Sequence, residues 1–168
     1  MIKVYQQIIS PTKGDCFKAS ICSLLELDYN KIPNFIEHSN WLSLAIDVFK
    51  EHGYKFGEKW LYNPNIRDLE NPTDDCFNGF IGIAKTHSLN ALKLTDGING
   101  LFLASVYSPK YTNPNEHPND HLHAVICNYN FDIVFDPQPE YHDIKFYPYA
   151  NIIGYNGIRD IVCINKIE

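Results

Sequence analysis

The apolar positions of this chain follow a helical period in its first third and a strand-like pattern in its second half. The apolar residues from Phe17 to Leu25 recur mainly at spacings of three and four, which predicts a helix from about Cys16 to Leu27. A second helix is predicted from Trp41 to His52, with Gly53 as the residue that ends it. Before both helices, residues 2–9 carry side chains typical of a short strand.

Strand signals dominate the second half of the chain. Runs rich in β-branched and aromatic residues predict strands over 79–84, 100–107, 121–129, 131–136 and 157–165. Residues 54–78 are predicted to form an irregular connection with a short strand near Trp60, and 89–94 a short helix. Tyr129 and Asn130 predict a tight hairpin turn. Early helices followed by an antiparallel sheet indicate an α+β fold, with the N-terminal helix packed on a C-terminal sheet.

Length and composition narrow the class of protein. The 168 residues suit a single domain over 1–168. A net charge of −6 with only two arginines, Arg67 and Arg159, argues against nucleic acid as a partner. No apolar run approaches the roughly 18 to 20 residues of a membrane span, so no membrane partner is expected. Five cysteines without a CxxC pair, and an N-terminus without a secretory signal, predict free thiols in a reducing cytoplasm.

A cysteine at a helix start is the first candidate for chemistry. Gly14 precedes a turn, and Asp15 is a preferred N-cap residue for the helix that begins at Cys16. Backbone N–H groups and the helix dipole favour an anion there, and therefore the reactive thiolate. A buried structural cysteine is the alternative, because free cysteines are often buried. A nearby base and a group that orients it would favour the nucleophile.

The predicted hairpin supplies a base and an orienting carboxylate. His123 lies in the alternating segment 121–127, and Asp136 ends the next strand. If the turn centres on Asn130, paired residue numbers sum to about 260, which places His123 opposite position 136 or 137. A helix-start cysteine, a strand histidine and a carboxylate opposite that histidine together predict a catalytic triad.

A metal site is a competing hypothesis. Four residues around the end of the polar loop could act as ligands, with two more further on: His117, Asp120, His121, His123, His142 and Asp143. The first four come from one stretch of chain, and no HExxH motif is present. We therefore expect neither a metal nor another cofactor.

Four short segments resemble a known family. They are 14–27, 32–35, 123–126 and 134–139, and they are similar to small papain-like cysteine-peptidase proteins, many of them encoded by phages and bacteria. The order of Cys, His and Asp also resembles the peptidase domains that process bacteriocin leader peptides. The resemblance implies a papain-like fold with Cys16 as nucleophile, His123 as base and Asp136 as the orienting carboxylate.

The resemblance also implies a glutamine that helps to form an oxyanion hole. Papain-like enzymes usually carry it six residues before the cysteine, where this chain has Ser10. The available glutamines are Gln6 and Gln7, and a slightly longer loop would bring Gln7 into the site. Gln7 is therefore the expected oxyanion donor.

The implied function is a cysteine hydrolase that cleaves a peptide, isopeptide or other amide bond. The alternative is a papain-like binding protein that has lost its chemistry and sequesters a small ligand or a partner protein, for example as a phage counter-defence. Substrate contacts are expected from Asp15, Phe17, Lys110, Tyr111 and His121. The proline-rich loop 108–120 is predicted to border the groove, although an ordinary surface connection fits its composition equally well. The oligomeric state stays open.

Overall fold

The computed structural model describes residues 1–61, 85–86, 97–108, 122–130, 132–141 and 158–168. In this part of the chain, the helices are α1 (Cys16–Leu25) and α2 (Trp41–Glu51). The strands are β1 (Tyr54–Leu61), β2 (Lys85–Thr86), β3 (Leu101–Tyr107), β4 (Leu122–Asn128), β5 (Ile133–Phe135) and β6 (Ile158–Lys166). Short 3₁₀ turns cover Tyr29–Lys31, Phe35–Glu37 and Pro139–Tyr141.

The described strands form one sheet in the order β2-β1-β6-β3-β4-β5. Every neighbouring pair is antiparallel except β1 and β2, which are parallel. Early helices and a mainly antiparallel sheet make this an α+β fold, as the sequence predicted. β4 lies near one edge of the sheet, between β3 and the short edge strand β5.

Both faces of this sheet are buried. The helices cover one face, and the largest fully buried side chains there are Ile21, Phe35, Phe49, Ile126 and Ile164. The opposite face carries a second cluster made of Phe102, Ala104, Val106, Val125, Cys127, Ile158, Ile161 and Cys163. Because successive strand residues point to opposite faces, β4 directs Ala124 and Ile126 toward the helices, and Val125 and Cys127 toward the second cluster.

Two N-terminal boundaries differ from the predictions. α1 ends at Leu25 because Glu26 takes a left-handed conformation with φ 58°, and the Leu27 N–H bonds back to the carbonyl of Cys22. Residues 2–9 do not form a strand. They form an extended segment held by Ser23, which exchanges hydrogen bonds with the backbone of Val4, and by the carbonyl of Pro137.

The first residues of the connection predicted to be irregular, 54–61, form a regular strand. β1 covers Tyr54–Leu61, where an irregular connection with a short strand near Trp60 was expected, because pairing with β6 supplies its hydrogen bonds. The predicted strand at 79–84 and the helix at 89–94 lie outside the described residues. No helix in the described part of the chain is long and apolar enough to cross a membrane.

Candidate functional site

Cys16 reaches the edge of β4 because α1 bonds to β4 at a point where β5 no longer pairs with it. The ladder between β4 and β5 ends at the pair Ile126–Phe135, so the backbone of Ala124 lies beyond it. The Ala124 N–H donates to Sγ of Cys16 at 3.5 Å, and Oγ of Ser20 donates to the Ala124 carbonyl at 3.1 Å. Two side chains one helical turn apart therefore dock α1 on β4 and bring the sulfur beside residue 123.

His123 and Asp136 are hydrogen-bonded across the hairpin. Nε2 of His123 lies 2.7 Å from Oδ1 of Asp136, and both side chains are buried. The same oxygen accepts the N–H of Gln138 at 2.7 Å. The ladder shifts register between Ile126 and Cys127, so the hairpin arithmetic holds to within one residue. The structure thus brings together the histidine and the carboxylate that the sequence paired.

His123 also contacts Cys16, and this contact affects its charge. Burial by itself lowers the pKa of His123, but hydrogen bonds with Asp136 and Cys16 outweigh burial and raise that pKa above its ordinary value. Because Nε2 faces Asp136, Nδ1 is the ring nitrogen left for the sulfur. The raised pKa keeps the imidazole of His123 protonated to higher pH, which places a positive charge beside the sulfur.

The other described cysteines lie in apolar surroundings. Burial raises the pKa of Cys22 to about 11 and raises the pKa of Cys127 as well. Cys163 is also buried, and all four described cysteines are free thiols, as predicted. Cys76 lies outside the described residues. A thiolate is therefore disfavoured at Cys22 and Cys127.

Asp15 does not cap α1 as predicted. The side chain makes no capping bond, and its carboxylate instead accepts the N–H groups of Gln7, at 3.1 Å, and Ile8, at 2.9 Å, and the hydroxyl of Tyr29. Burial and the Asp15 hydrogen bond raise the pKa of Tyr29. Asp15 is 0 % exposed, so it shapes the preceding loop and offers no surface for the expected substrate contact. The first-turn N–H groups of α1 are left without a side-chain cap.

The cleft contains Gln6 and not the predicted Gln7. Gln6 is 7 % exposed and lines the cleft beside Cys16, whereas Gln7 is exposed. The difference comes from the extended backbone, where the Gln6 N–H bonds to the carbonyl of Pro137 while the next two N–H groups turn to Asp15. Nε2 of Gln6 donates to Oε1 of Gln138 at 3.0 Å and lies 3.5 Å from the carbonyl oxygen of Ile8.

The loop that carries Gln6 closes tightly before α1. The Asp15 N–H bonds to the carbonyl of Ile8 at 3.2 Å. A side chain at Gly14 would place Cβ 2.6 Å from the carbonyl oxygen of Ser10, closer than real contacts allow. Glycine at this position therefore lets the loop return to Cys16, although the loop is longer than the six residues expected between the glutamine and the cysteine.

The described cleft at Cys16 is narrow and largely uncharged. Its lining side chains are Ile9, Pro11 and Leu122, which are apolar, and Gln6, Ser10, Ser108, His123 and Gln138, which are polar. The volume of this cleft is about 20 Å³, room for about one water molecule.

Of the remaining predicted substrate contacts, only Phe17 belongs to the described residues. Phe17 packs edge-on against Phe35 and Trp41, with ring centroids 5.5 and 5.6 Å apart, and does not line the cleft. Lys110, Tyr111 and His121 lie outside the described residues, as do the other members of the histidine-rich cluster apart from His123. Among the residues that the structure describes, no group of three or more His, Cys, Asp or Glu could hold a metal ion.

Gln138 is a residue of the site for which the sequence predicted no role. It bonds to both Asp136 and Gln6, and the only signal that marks it is its position directly after Asp136-Pro137. Comparisons of the chain with protein-family models, with curated proteins and with solved structures found no match. The function is therefore argued from the geometry of the site.

Proposed function

We propose that this protein is a papain-like cysteine hydrolase that cleaves a peptide, isopeptide or other amide bond through Cys16, His123 and Asp136. The observation that carries the proposal is the unbroken line of contacts from the sulfur through the imidazole to the carboxylate. A nucleophile, a base and an orienting group within hydrogen-bond reach form the arrangement that nucleophilic catalysis needs.

In the first half-reaction, the sulfur attacks the carbonyl carbon of the amide. His123 holds the thiol proton, and Asp136 keeps the ring oriented and stabilises its positive charge. A carbon–sulfur bond forms, and the carbonyl becomes a tetrahedral oxyanion. When this intermediate collapses, the carbon–nitrogen bond breaks and the His123 proton passes to the leaving amine. The product of this half-reaction is a thioester on Cys16.

We assign the stabilisation of the oxyanion to two donors. One is the backbone N–H of Cys16, in the uncapped first turn of α1. The other is Nε2 of Gln6, whose second N–H makes only the long 3.5 Å contact with Ile8. Loss of one such donor in a serine hydrolase costs about 10²- to 10³-fold in rate.

In the second half-reaction, water attacks the thioester. His123 takes a proton from the water, the carbon–sulfur bond breaks, and the acid leaves while the thiol is restored. The acyl acceptor could equally be an amine, so the same residues would support acyl transfer. The four free described thiols are consistent with a reducing cytoplasm as the site of action.

The test is covalent labelling of the native protein at pH 7 with a peptidyl acyloxymethyl ketone, followed by mass mapping. The ketone is attacked by a thiolate as an amide carbonyl is, so we expect a single adduct on Cys16. The variants Cys16→Ala and His123→Ala should lose it. The matched control is Cys22→Ala, at a buried thiol on the same helix, which should label like the wild type.

Preferential labelling of another cysteine would overturn the proposal. So would an unlabelled Cys16 in protein that is shown to be folded by circular dichroism. The second result is the one expected of a papain-like binding protein without activity.

A further inference from the structure

Gln138 connects the two halves of the site. Its backbone N–H donates to Oδ1 of Asp136 at 2.7 Å, and its side-chain Oε1 accepts from Nε2 of Gln6 at 3.0 Å. On the far side, its Nε2 lies 3.4 Å from Oε2 of Glu140, which accepts from it. Gln138 is only 3 % exposed, so its bonds with Asp136 and Gln6 are shielded from water. One buried residue therefore contacts both the triad carboxylate and the cleft glutamine.

The hydrogen bonds that link Gln6, Gln138 and Glu140 all run in one direction, each amide donating to the next residue. Nε2 is the end of the Gln138 amide that faces the Glu140 carboxylate, which can only accept hydrogen bonds. The carbonyl end of Gln138 then faces Gln6 and selects the Nε2 end of that amide as its partner. Oε1 of Gln6 is buried and makes no hydrogen bond with the described residues.

This direction matters for the oxyanion. If the Gln6 amide turned by 180°, its carbonyl oxygen would take the place of Nε2 and would repel a developing negative charge. The long 3.5 Å contact with Ile8 does little to prevent that turn, since hydrogen bonds of this length are weak. The stronger restraint is the 3.0 Å bond to Gln138.

We propose that Gln138 is a positioning residue that fixes the Gln6 amide so that an N–H, and not the carbonyl oxygen, is available to the oxyanion. The inference rests on the proposed function, because it concerns the oxyanion that forms when Cys16 attacks a carbonyl. Gln138 itself touches no reacting atom.

The test compares two reactions of the same sulfur. With p-nitrophenyl acetate, the sulfur attacks the carbonyl carbon through an oxyanion, p-nitrophenolate leaves, and an acetyl thioester remains. With iodoacetamide, the sulfur displaces iodide directly and no oxyanion forms. The ratio of the acylation rate to the alkylation rate at Cys16 therefore reports oxyanion stabilisation. The Cys16→Ala variant supplies the background for both reagents.

We expect Gln6→Met to lower this ratio about 10²-fold, since it removes an oxyanion donor. Gln138→Met should lower it about tenfold, since it misplaces that donor without removing it. Gln138→Glu, unlike Gln138→Met, should keep the ratio near the wild-type value. A buried carboxyl beside Glu140 favours its neutral form, which keeps an acceptor toward Gln6 and a donor toward Glu140. The matched control is Gln7→Met, the same substitution at the exposed neighbour, which should leave the ratio at the wild-type value.

The double variant Gln6→Met/Gln138→Met separates positioning from a general loss of stability. If Gln138 acts through Gln6, the double variant has the same ratio as Gln6→Met alone. A further tenfold fall in the double variant, or an unchanged ratio in Gln138→Met, would overturn the inference while leaving a reactive Cys16 and the proposed function intact. If wild-type Cys16 reacts no faster than the buried thiols, the proposed function fails, and the inference fails with it.

Discussion

The site has two walls that are held in different ways. The hairpin of β4 and β5 brings His123 and Asp136 together through strand pairing that begins at the turn. The opposite wall, residues 6–15, has no regular structure, and three of its hydrogen bonds end on the buried carboxylate of Asp15, while the Gln6 N–H bonds to Pro137. β4 is restrained by seven pairs with β3 and two with β5, whereas much of the loop's restraint depends on one residue. We therefore expect substitutions in the hairpin to alter chemistry and substitutions at Asp15 to alter stability as well.

The hairpin wall should show the largest effect on chemistry. His123→Ala removes the proposed base, so acylation of Cys16 by p-nitrophenyl acetate should fall about 10²- to 10⁴-fold, the usual contribution of a general acid–base group. The measurement is release of p-nitrophenolate, corrected with Cys16→Ala. The control His38→Ala lies on the surface and should keep the wild-type rate. If His123→Ala is acylated at the wild-type rate, the hairpin takes no part in the chemistry.

The loop wall should show the largest effect on stability. Asp15→Ala leaves the N–H groups of Gln7 and Ile8 and the hydroxyl of Tyr29 without their acceptor, so we expect it to lower the free energy of unfolding by about 2 to 4 kcal/mol. Urea denaturation followed by circular dichroism measures this change. Asp47→Asn, at an exposed position on α2, is the control and should change stability by less than about 0.5 kcal/mol. Equal stability of the two variants would show that the loop is held by something other than Asp15.

The charge on His123 can be detected through the pH dependence of the free energy of unfolding. The raised pKa of His123 means that its bond with Asp136 stabilises the fold below the unfolded value of His, and that this contribution is lost as pH rises through the folded value. The stability difference between the wild type and Asp136→Asn should therefore be larger at pH 6 and shrink at alkaline pH. Each unit by which the substitution lowers the His123 pKa corresponds to about 1.4 kcal/mol.

The control for this titration is Asp132→Asn, an exposed carboxylate of the same hairpin. Its stability difference from the wild type should be the same at both pH values. If the Asp136→Asn difference also failed to change with pH, the pairing of an imidazolium with Asp136 would be wrong.

The smallest expected effect lies where α1 meets the hairpin. Ser20→Ala removes the donor to the Ala124 carbonyl, which should lower the free energy of unfolding by about 1 kcal/mol, because a single neutral hydrogen bond contributes about that much. Cys16 keeps its own bond from the Ala124 N–H, so its alkylation should slow far less than in His123→Ala. Loss of both stability and labelling to the extent seen in the larger variants would mean that the Ser20 bond alone, and not the combined contacts of α1 with β4, sets the position of the sulfur.

The sequence by itself determined the elements that depend on local pattern. Helical spacing marked α1 and α2 to within two residues at each end, and runs rich in β-branched and aromatic residues marked β3 and β4. The hairpin turn at Tyr129 and Asn130 was enough to pair His123 with Asp136, because register near a tight turn follows from counting residues. The bulge between Ile126 and Cys127 shifts the paired positions by one residue, and the side chains of His123 and Asp136 still reach each other.

Only the tertiary structure decided the course of the loop before α1 and the contacts that its residues make. Residues 2–9 resemble a strand in composition, but their hydrogen bonds go to Ser23, Asp15 and Pro137, which are distant in sequence or in another element. The choice of Gln6 over Gln7 depends on which backbone N–H groups Asp15 accepts, and residue spacing carries no trace of that choice. Gln138 likewise gains its role from contacts with residues 132 positions away and two positions away at once. Local periodicity cannot encode such contacts, because they form only when separate segments of the chain pack together.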